Sequence, residues 1–314
     1  MPDPSTSARR RTARVTTSRA AIHLKLVIAP AFWAMTPIFG RLLADYHAPY
    51  AFVFGRFIVA SAFLWLFMHA GRGGAAPRLQ IRHLGRLAVL GLTGVCLHNV
   101  LMFIGVESTP ANRATLILAS ISLMVALIDG VVLRRPTHPQ ALGGILLGFV
   151  GTALVITEGR VLDVFQGSVG RGEFMLLGAA LAWALYSILG RPLLDEVSPL
   201  YVTYYSTLVG TLMLVPFVWH DAGALAAIVV DRRAWAMMGF LGLLNSALGF
   251  LWYYQGVNAL GAMTTAAYLN LMPVFGVVLS WLFLGEVPSA ALLAGGALVI
   301  GGLLLMHKVE RRQA

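Results

Sequence analysis

Polar side chains stand inside long apolar runs of this sequence, and they are the first candidates for chemistry. His98 and Asn99 lie midway along one such run, and Arg56 lies about two turns inside another. An ionisable residue in apolar surroundings usually faces a cavity, a partner or a transported solute. His98 is a candidate proton carrier because imidazole titrates near physiological pH. A neutral histidine bonded to a carbonyl of a neighbouring helix is the alternative.

Two other charged residues within apolar runs have more than one interpretation. The planar guanidinium of Arg56 matches the two oxygens of a substrate carboxylate. The same residue could instead snorkel to the outer interface or bond helix carbonyls. Asp129 lies about one turn from Arg134 and Arg135. That spacing indicates an ion pair or gate near the cytoplasmic face. Arg56 and Asp129 are also candidates for coupling transport to protons.

A set of aromatic, amide, imidazole and hydroxyl residues would suit a neutral or zwitterionic organic solute. Such groups offer stacking faces and a few orienting hydrogen bonds. Taken singly, each is more often an interhelical packing residue or part of an interfacial belt, as Tyr201, Tyr204 and Tyr205 are expected to be. As a set, the predicted substrate-binding residues are Trp33, Thr36, His98, Asn99, Trp183, Tyr186, Asn245, Tyr253, Tyr268 and Asn270.

Prolines and glycines mark where helices bend or approach closely. Pro37 and Pro273 would each free a backbone carbonyl, which predicts a hinge, with a static kink as the alternative. Small residues permit close helix contact, here expected within the chain and with a dimer contact as the minor alternative. The glycines concerned are Gly143, Gly144, Gly148, Gly151, Gly295, Gly296, Gly301 and Gly302.

The composition indicates that membrane-spanning helices position these residues. Of 314 residues, 58% are hydrophobic and 11% are charged, and the mean hydropathy is +0.79. A soluble domain carries about a quarter charged residues, so too little polar surface remains to coat a water-soluble enzyme. A span needs about 20 apolar residues. This window predicts ten helices, at 22–42, 50–70, 85–106, 112–133, 141–158, 172–191, 199–219, 234–256, 262–284 and 290–307.

The basic residues predict the orientation. Half of the formal net charge of +10 lies in the first 25 residues, so the excess indicates a disordered basic tail over 1–21 that contacts membrane lipid, not nucleic acid. Lys and Arg resist translocation. Placing the N-terminus inside puts 16 of them in cytoplasmic segments and 6 outside. We therefore expect a multi-pass plasma (bacterial inner) membrane protein, with the tail 308–314 also cytoplasmic.

The chain matches itself at an offset of about 150 residues. Trp33, Gly40 and Arg41 fall on Trp183, Gly190 and Arg191, and Leu90-Gly91-Leu92 falls on Leu241-Gly242-Leu243. Five helices per copy is an odd number, so the second copy enters the membrane from the opposite side. The predicted fold is all-α, with ten transmembrane helices in two inverted five-helix repeats, 22–158 and 172–307. Such repeats are typical of alternating-access carriers.

At this point the sequence resembles a known group, the ten-helix EamA branch of the drug/metabolite transporter superfamily. The likeness is carried by Phe-Trp-Ala-Met-Thr-Pro-Ile-Phe-Gly-Arg at 32–41, Pro-Tyr-Ala-Phe-Val-Phe-Gly-Arg-Phe at 49–57, and Leu-Met-Pro-Val-Phe-Gly at 271–276 followed by Leu-Gly-Glu at 284–286. The resemblance implies a carrier with a central cavity, often an exporter of amino acids or other small metabolites. The family pattern places an arginine at position 56 across substrates of different charge, so we favour a structural role for Arg56.

Motifs for other chemistry are missing from the sequence. It has no GxxxxGK[ST] and no HExxH, and its one cysteine, Cys96, cannot build a cysteine-based metal site. We expect no cofactor, no metal and no enzymatic activity. Cys96 and His98 are the nearest nucleophile–base pair, but their helical spacing points them about 200° apart. The predicted function is a secondary transporter that exports a small organic metabolite as a monomer, with a dimer as the alternative state. A membrane-embedded enzyme or a scaffold is the alternative function.

Overall fold

The described part of the molecule is helical throughout. The computed structural model describes residues 18–36, 46, 48–70, 79–109, 111–132, 138–160, 162, 170–284 and 289–313. These residues form helices joined by turns, and no β-strand occurs among them. The all-α prediction is therefore confirmed for the described residues.

Six helices make up the described N-terminal half. They are α1 (Arg19–Ala34), α2 (Pro49–Ala70), α3 (Ile81–Ser108), α4 (Ala111–Ala119), α5 (Ile121–Leu127) and α6 (Pro139–Ile156). A π-helical segment, Ile128–Val132, continues α5.

Seven helices make up the described C-terminal half. They are α7 (Arg171–Leu194), α8 (Pro199–Val218), α9 (Ala222–Val230), α10 (Arg232–Leu260), α11 (Ala262–Ala267), α12 (Leu271–Leu284) and α13 (Ala290–Gln313). Short 3₁₀ turns, Trp219–Asp221 and Tyr268–Asn270, precede α9 and α12.

Several helices begin where a short polar side chain caps them. Ser18 Oγ accepts a hydrogen bond from Ala21 N at the start of α1, and Ser198 Oγ accepts one from Tyr201 N at the start of α8. Asp231 accepts from Arg233 N and begins α10. Such caps satisfy backbone N–H groups that have no partner within the helix.

Six of the described helices are long and apolar enough to cross a membrane: α2, α3, α6, α7, α8 and α10. Two shorter apolar segments are Ile117–Gly130 and Ala290–Met306. A chain that folds into apolar helices of this length, with many large hydrophobic side chains on its outer surface, has the architecture of a membrane protein.

Two of the long helices contain π-helical segments at corresponding places. Residues Gly91–Leu97 of α3 and Leu241–Leu248 of α10 are π-helical. At their ends His98 N–H bonds Thr93 O and Gly249 N–H bonds Leu244 O, each across five residues. Such bulges widen a helix locally and recur at functional sites. The sequence analysis did not predict them, although the repeated Leu-Gly-Leu stretches begin both.

The π segments pack tightly because they carry glycine where another helix crosses. A Cβ on Gly91 would lie 2.7 Å from Ser206 O of α8, and one on Gly242 would lie 2.7 Å from Arg56 O of α2. The π segment of α3 therefore lies against α8, and that of α10 lies against α2. Backbone contact, rather than side chains, sets both distances.

The glycines of α6 and α13 form a second close contact between the two halves. A Cβ on Gly151 would lie 2.5 Å from Gly295 O, and one on Gly144 would lie 2.7 Å from Gly302 O. The structure thus uses these four glycines for packing within the chain, as small residues do between membrane helices.

The two predicted hinge prolines have different outcomes. Pro37 lies outside the described residues. Pro273 is buried in the first turn of α12, directly after the Tyr268–Asn270 turn. The break in this predicted span therefore precedes the proline, because Pro273 has no N–H to offer the preceding turn. Thr152 Oγ1 donates to the carbonyl of Asn270 at 3.2 Å.

Candidate functional site

An aromatic cluster joins the two halves of the chain in the interior. It consists of Trp33, Trp183, Tyr186, Phe250 and Tyr253. The Trp33 and Trp183 rings meet edge to face with centroids 5.7 Å apart, and Trp183 lies 5.0 Å from Phe250 and 5.4 Å from Tyr253. Edge-to-face pairs are favoured by the ring quadrupoles. All five side chains are buried.

Asn245 of the α10 π segment ties the end of α1 to this cluster. Its backbone carbonyl accepts the Trp33 indole N–H at 3.0 Å, and its side-chain amide donates to Thr36 Oγ1 at 2.6 Å. The structure therefore brings Asn245 to Trp33 and Thr36, which lie more than 200 residues before it in sequence.

His98 lies against the other tryptophan of the cluster. Its ring centroid is 4.9 Å from that of Trp183, and its Nδ1 donates to Ala179 O at 2.9 Å. Since a carbonyl only accepts, this bond requires a proton on Nδ1. Gly249, at the corresponding place on α10, lies against Trp33. The cluster thus has an imidazole beside one tryptophan and a glycine beside the other.

Tyrosine hydroxyls of α10 bond α7 next to the cluster. Tyr253 OH and Ser187 Oγ share a hydrogen bond of 2.6 Å, and Tyr254 OH donates to Tyr186 O at 3.0 Å. Ser187, Tyr254 and Phe250 were missed by the sequence analysis. Serine and phenylalanine are common packing residues in apolar helices, so only their contacts identify them.

Arg56 and Asn99 form a buried polar pair beside the same region. Arg56 Nη2 donates to Asn99 Oδ1 at 2.6 Å, and Asn99 Nδ2 donates to Val95 O of the α3 π segment at 2.7 Å. Arg56 is 6% exposed and Asn99 is 2% exposed. Arg56 therefore neither snorkels to an interface nor bonds a helix carbonyl among the described residues.

Two predicted binding residues lie apart from the aromatic cluster. Tyr268 OH lies 2.6 Å from His23 Nδ1, near the N-terminal end of α1. Asn270 packs against α6, where a Cβ on Gly148 would lie 2.8 Å from its amide nitrogen, and its Oδ1 accepts from Ser122 Oγ at 3.3 Å. The structure thus groups most of the predicted set and places these two with the α5–α6 surface and α1.

Asp129 is buried in the π segment that follows α5. Arg134 and Arg135, its expected ion-pair partners, lie outside the described residues.

A polar contact at one end of the molecule joins α3 to the turn between α7 and α8. Glu196 accepts from Arg86 Nη1 at 2.5 Å and lies 3.2 Å from His83 Nε2. Tyr201 OH accepts from Gln80 N at 3.0 Å beside them. We call this set the Glu196 contact. Tyr201 is buried, so its predicted membership of an interfacial belt was wrong.

A second polar contact lies at the opposite end. Tyr46 OH donates to Asp231 Oδ2, and Ala51 N in the first turn of α2 donates to Asp221 Oδ2 at 2.8 Å. We call these two bonds the Asp231 contact. Helix α8 begins just after Glu196 and ends just before Asp221, and its 20 residues separate the two contacts by about 30 Å.

Glu196 and Asp231, two of the carboxylates in these contacts, are held in their charged form. The hydrogen bond from Arg86 lowers the pKa of Glu196, and the hydrogen bond from Tyr46 lowers the pKa of Asp231. In both cases the bond stabilises the carboxylate. Both contacts join the N-terminal half to the C-terminal half, and neither was predicted.

No arrangement for metal or nucleophilic chemistry is present in the described residues. They contain no group of three His, Cys, Asp or Glu side chains that could hold a metal ion. Cys96 Sγ lies 3.6 Å from Met213 O of α8, whereas His98 bonds Ala179 O of α7. The two side chains therefore face different helices and form no nucleophile–base pair.

Comparison with known proteins identifies the kind of chain this is similar to. The EamA-like transporter family matches it twice, over residues 21–157 and 170–307. A solved crystal structure superposes with a TM-score of 0.75 at 19% sequence identity, covering 94% of this chain and 98% of the other. At that identity the likeness supports the fold.

Two named relatives are similar to this chain along most of their length. One is the "Uncharacterized transporter YyaM" of Bacillus subtilis, 26% identical over 92% of this chain and 94% of its own. Another is the "Probable terminal-alkyne amino-acid exporter" of Streptantibioticus cattleyicolor, 31% identical over 74% of this chain and 75% of its own. The names indicate transporters rather than enzymes.

Proposed function

This chain belongs to the EamA-like transporter family, and from that premise we propose that it is an alternating-access carrier of a small organic solute. In this proposal ten transmembrane helices form two inverted five-helix repeats, 22–158 and 172–307. The solute is an amino acid or a similar neutral or zwitterionic metabolite, and it crosses the cell membrane.

The observation that carries the proposal is the pair of contacts at opposite ends of α8. Tyr46 and Glu196 stand at the same place in the two halves, 150 residues apart, and Gln80 and Asp231 stand 151 apart. Tyr46 bonds Asp231 at the start of α10, and Glu196 bonds Arg86 near the start of α3, where Gln80 also bonds Tyr201. Each contact therefore joins one half to the start of a π-containing helix in the other half. Inverted repeats supply equivalent closures on opposite sides in this way, and alternating access requires both.

The aromatic cluster supports a binding site between the halves. Trp33 comes from one half, while Trp183 and Tyr253 come from the other, and Thr36, His98 and Asn245 supply hydrogen-bonding groups next to them. The rings contact one another here, so the solute binds when the halves move and Trp33 separates from Trp183. Stacking faces with a few polar groups suit an organic solute better than an inorganic ion.

The location and direction rest on charge and on relatives. The excess of Lys and Arg supports cytoplasmic termini in a bacterial inner membrane, and a monomer suffices because both repeats lie in one chain. The name of the Streptantibioticus relative, an amino-acid exporter, supports export of an amino acid. We assign proton coupling to His98, whose Nδ1 donates to Ala179 O and whose imidazole is the side chain that ordinarily titrates nearest neutral pH.

Counterflow in liposomes tests the proposal. Liposomes that contain the purified protein are loaded with unlabelled amino acids, sugars, nucleosides or organic cations in turn. Entry of the labelled solute into them is then followed. We expect exchange of one class, lost in Trp33→Ala and Tyr186→Ala and kept in Trp65→Ala, an exposed tryptophan of α2. A flat panel from folded protein, with a working control carrier alongside, would contradict the proposal.

A further inference from the structure

Arg56 is a buried cation with most of its hydrogen-bonding capacity unused. Guanidinium offers five N–H donors. Among the described residues the side chain makes one hydrogen bond, to Asn99 Oδ1, and its guanidinium carbon lies 4.9 Å from the centroid of the Phe57 ring. Its Nε is buried and has no partner in the described structure. Buried charges are normally paired and fully hydrogen-bonded, so this arrangement calls for another partner.

No carboxylate of the described residues supplies that partner. The ion pairs found there join Glu196 to Arg86 and His83, at the end of the molecule. The burial of Arg56 comes from neighbouring helices, because its backbone carbonyl lies against Gly242 of the α10 π segment. One turn along α10, the buried Ser246 Oγ also has no hydrogen-bond partner in the described structure. A purely structural arginine would be expected to use its free donors on such groups or on carbonyls.

The unpaired cation lies next to the proposed binding site. The Phe57 ring that faces the guanidinium is 5.7 Å from Phe250, a member of the aromatic cluster. Asn99, which holds the guanidinium, directly follows His98, which contacts Trp183. A solute lying along the tryptophans would therefore bring one end close to Arg56.

We propose that Arg56 binds the carboxylate of the transported solute and that Asn99 is its positioning residue. This inference rests on the proposed function and narrows the solute to an organic acid or amino acid with a free carboxylate. The planar fork of arginine donates two parallel N–H bonds to the two oxygens of a carboxylate, which a lysine cannot do. The Asn99 amide fixes the fork by donating to Val95 O while accepting from Nη2.

The test compares solutes that differ only in the carboxylate. Proteoliposomes are assayed by counterflow inhibition with a transported amino acid, its amide, its methyl ester and the corresponding amine. We expect the wild-type protein to favour the free acid by at least about tenfold, the size of one charge-assisted contact. Arg56→Gln should remove this preference, while Arg82→Gln, at an exposed arginine bonded to Gln80, should keep it.

Asn99→Asp keeps the test independent of folding defects. It places a permanent carboxylate at the atom that now accepts from Arg56. The variant strengthens the bond to Arg56 but loses the N–H that Asn99 donates to Val95 O, so its melting temperature is measured beside that of the wild type. Folded variant protein should show a KM for the free acid at least about tenfold higher than the wild type. A structural role for Arg56 alone would leave KM unchanged in this variant.

The outcomes separate this inference from the proposed function. Exchange that accepts acid, amide and amine equally, or that keeps its acid preference in Arg56→Gln, would overturn the role of Arg56 and leave the carrier standing. Absence of exchange for every solute by folded wild-type protein would overturn both.

Discussion

His98 combines a fixed proton with contact to the aromatic cluster. Its Nδ1 donates to the carbonyl of Ala179, and its ring packs on Trp183. The neighbouring half offers a glycine, Gly249, at the matching place beside Trp33. Any function of the imidazole is therefore carried by one half alone, so it breaks the symmetry of the site.

We expect His98→Gln to separate exchange from proton coupling. Glutamine can still donate to Ala179 O but cannot take up a proton near neutral pH. Counterflow should therefore persist in the variant, while accumulation driven by a pH gradient should be lost. The measurement is uptake of labelled solute with and without an imposed gradient. Wild-type accumulation with unchanged pH dependence in His98→Gln would remove the proton role.

At the residue scale, the sequence predicted several side chains that the fold brings together, but it did not predict their partners. Trp33, Trp183, Asn245 and Tyr253 were identified by their types and by the repeat. The bond from Arg56 to Asn99 was not, because the two residues lie on different helices and no periodicity relates them.

At the scale of elements, the contact of α6 with α13 depends on the absence of side chains. Gly144 and Gly302 face each other, and so do Gly151 and Gly295, with a Cβ on any of them meeting backbone atoms of the other helix. Backbone atoms cannot move aside as the end of a flexible side chain can. The fifth and tenth predicted spans therefore pack together through complementary glycine surfaces.

Gly302→Ala should destabilise the protein, whereas Gly301→Ala should not. A Cβ at position 302 would clash with Gly144 O, but one at 301 would lie 3.7 Å from the end of the Leu147 side chain. Overpacking of this kind costs about 1–3 kcal/mol. The measurement is the melting temperature of each purified variant in the same detergent. Equal melting temperatures would show that α6 and α13 are not in contact at these glycines.

The Glu196 contact should weaken on acidification. Because Arg86 lowers the pKa of Glu196, the contact stabilises the folded state above the ordinary carboxylate pKa, and that stability is lost as pH falls through the lowered value. Glu196→Gln removes the charge at every pH. We expect faster amide hydrogen exchange over residues 80–90 in this variant at neutral pH.

The matched control for that experiment is Asp195→Asn, a substitution at the exposed neighbour of Glu196. It removes one negative charge from the same turn without touching the bonds to Arg86 and His83. Equal exchange rates in the two variants would mean that Glu196 does not hold α3 in place.

The π segments show which elements a sequence cannot predict. Apolar runs gave the positions of α2, α3, α6, α7, α8 and α10, because length and hydropathy decide whether a helix can span a membrane. A π bulge inserts into a helix without changing its composition. Gly91 and Gly242 only permit the close approach at which Gly91–Leu97 and Leu241–Leu248 were found.

At the scale of the whole molecule, three contacts join the two halves in addition to the glycine contact of α6 with α13. The Asp231 contact lies at one end, the aromatic cluster in the middle and the Glu196 contact at the other end. The internal repeat was visible in the sequence, but the end contacts were not, since they pair a tyrosine with an aspartate on one side and a glutamate with an arginine on the other. Only the fold brings those residues together.

The proposed mechanism requires the two ends to open in turn. Breaking the Glu196 contact while the Asp231 contact holds would expose the cluster to one side, and the reverse would expose it to the other. A channel or a scaffold has no need of such reciprocity. Alternating access therefore requires that the distances at the two ends change in opposite directions.

Distance measurement between paired spin labels tests this most directly. In a Cys96→Ser background, which removes the one native cysteine, labels at exposed positions Arg82 and Asp195 report on the Glu196 end. Labels at Glu107 and Ala236 report on the opposite end. We predict that solute shifts both distance distributions, with one pair lengthening as the other shortens. Distances that lengthen together, or that ignore a solute the protein exchanges, would contradict alternating access.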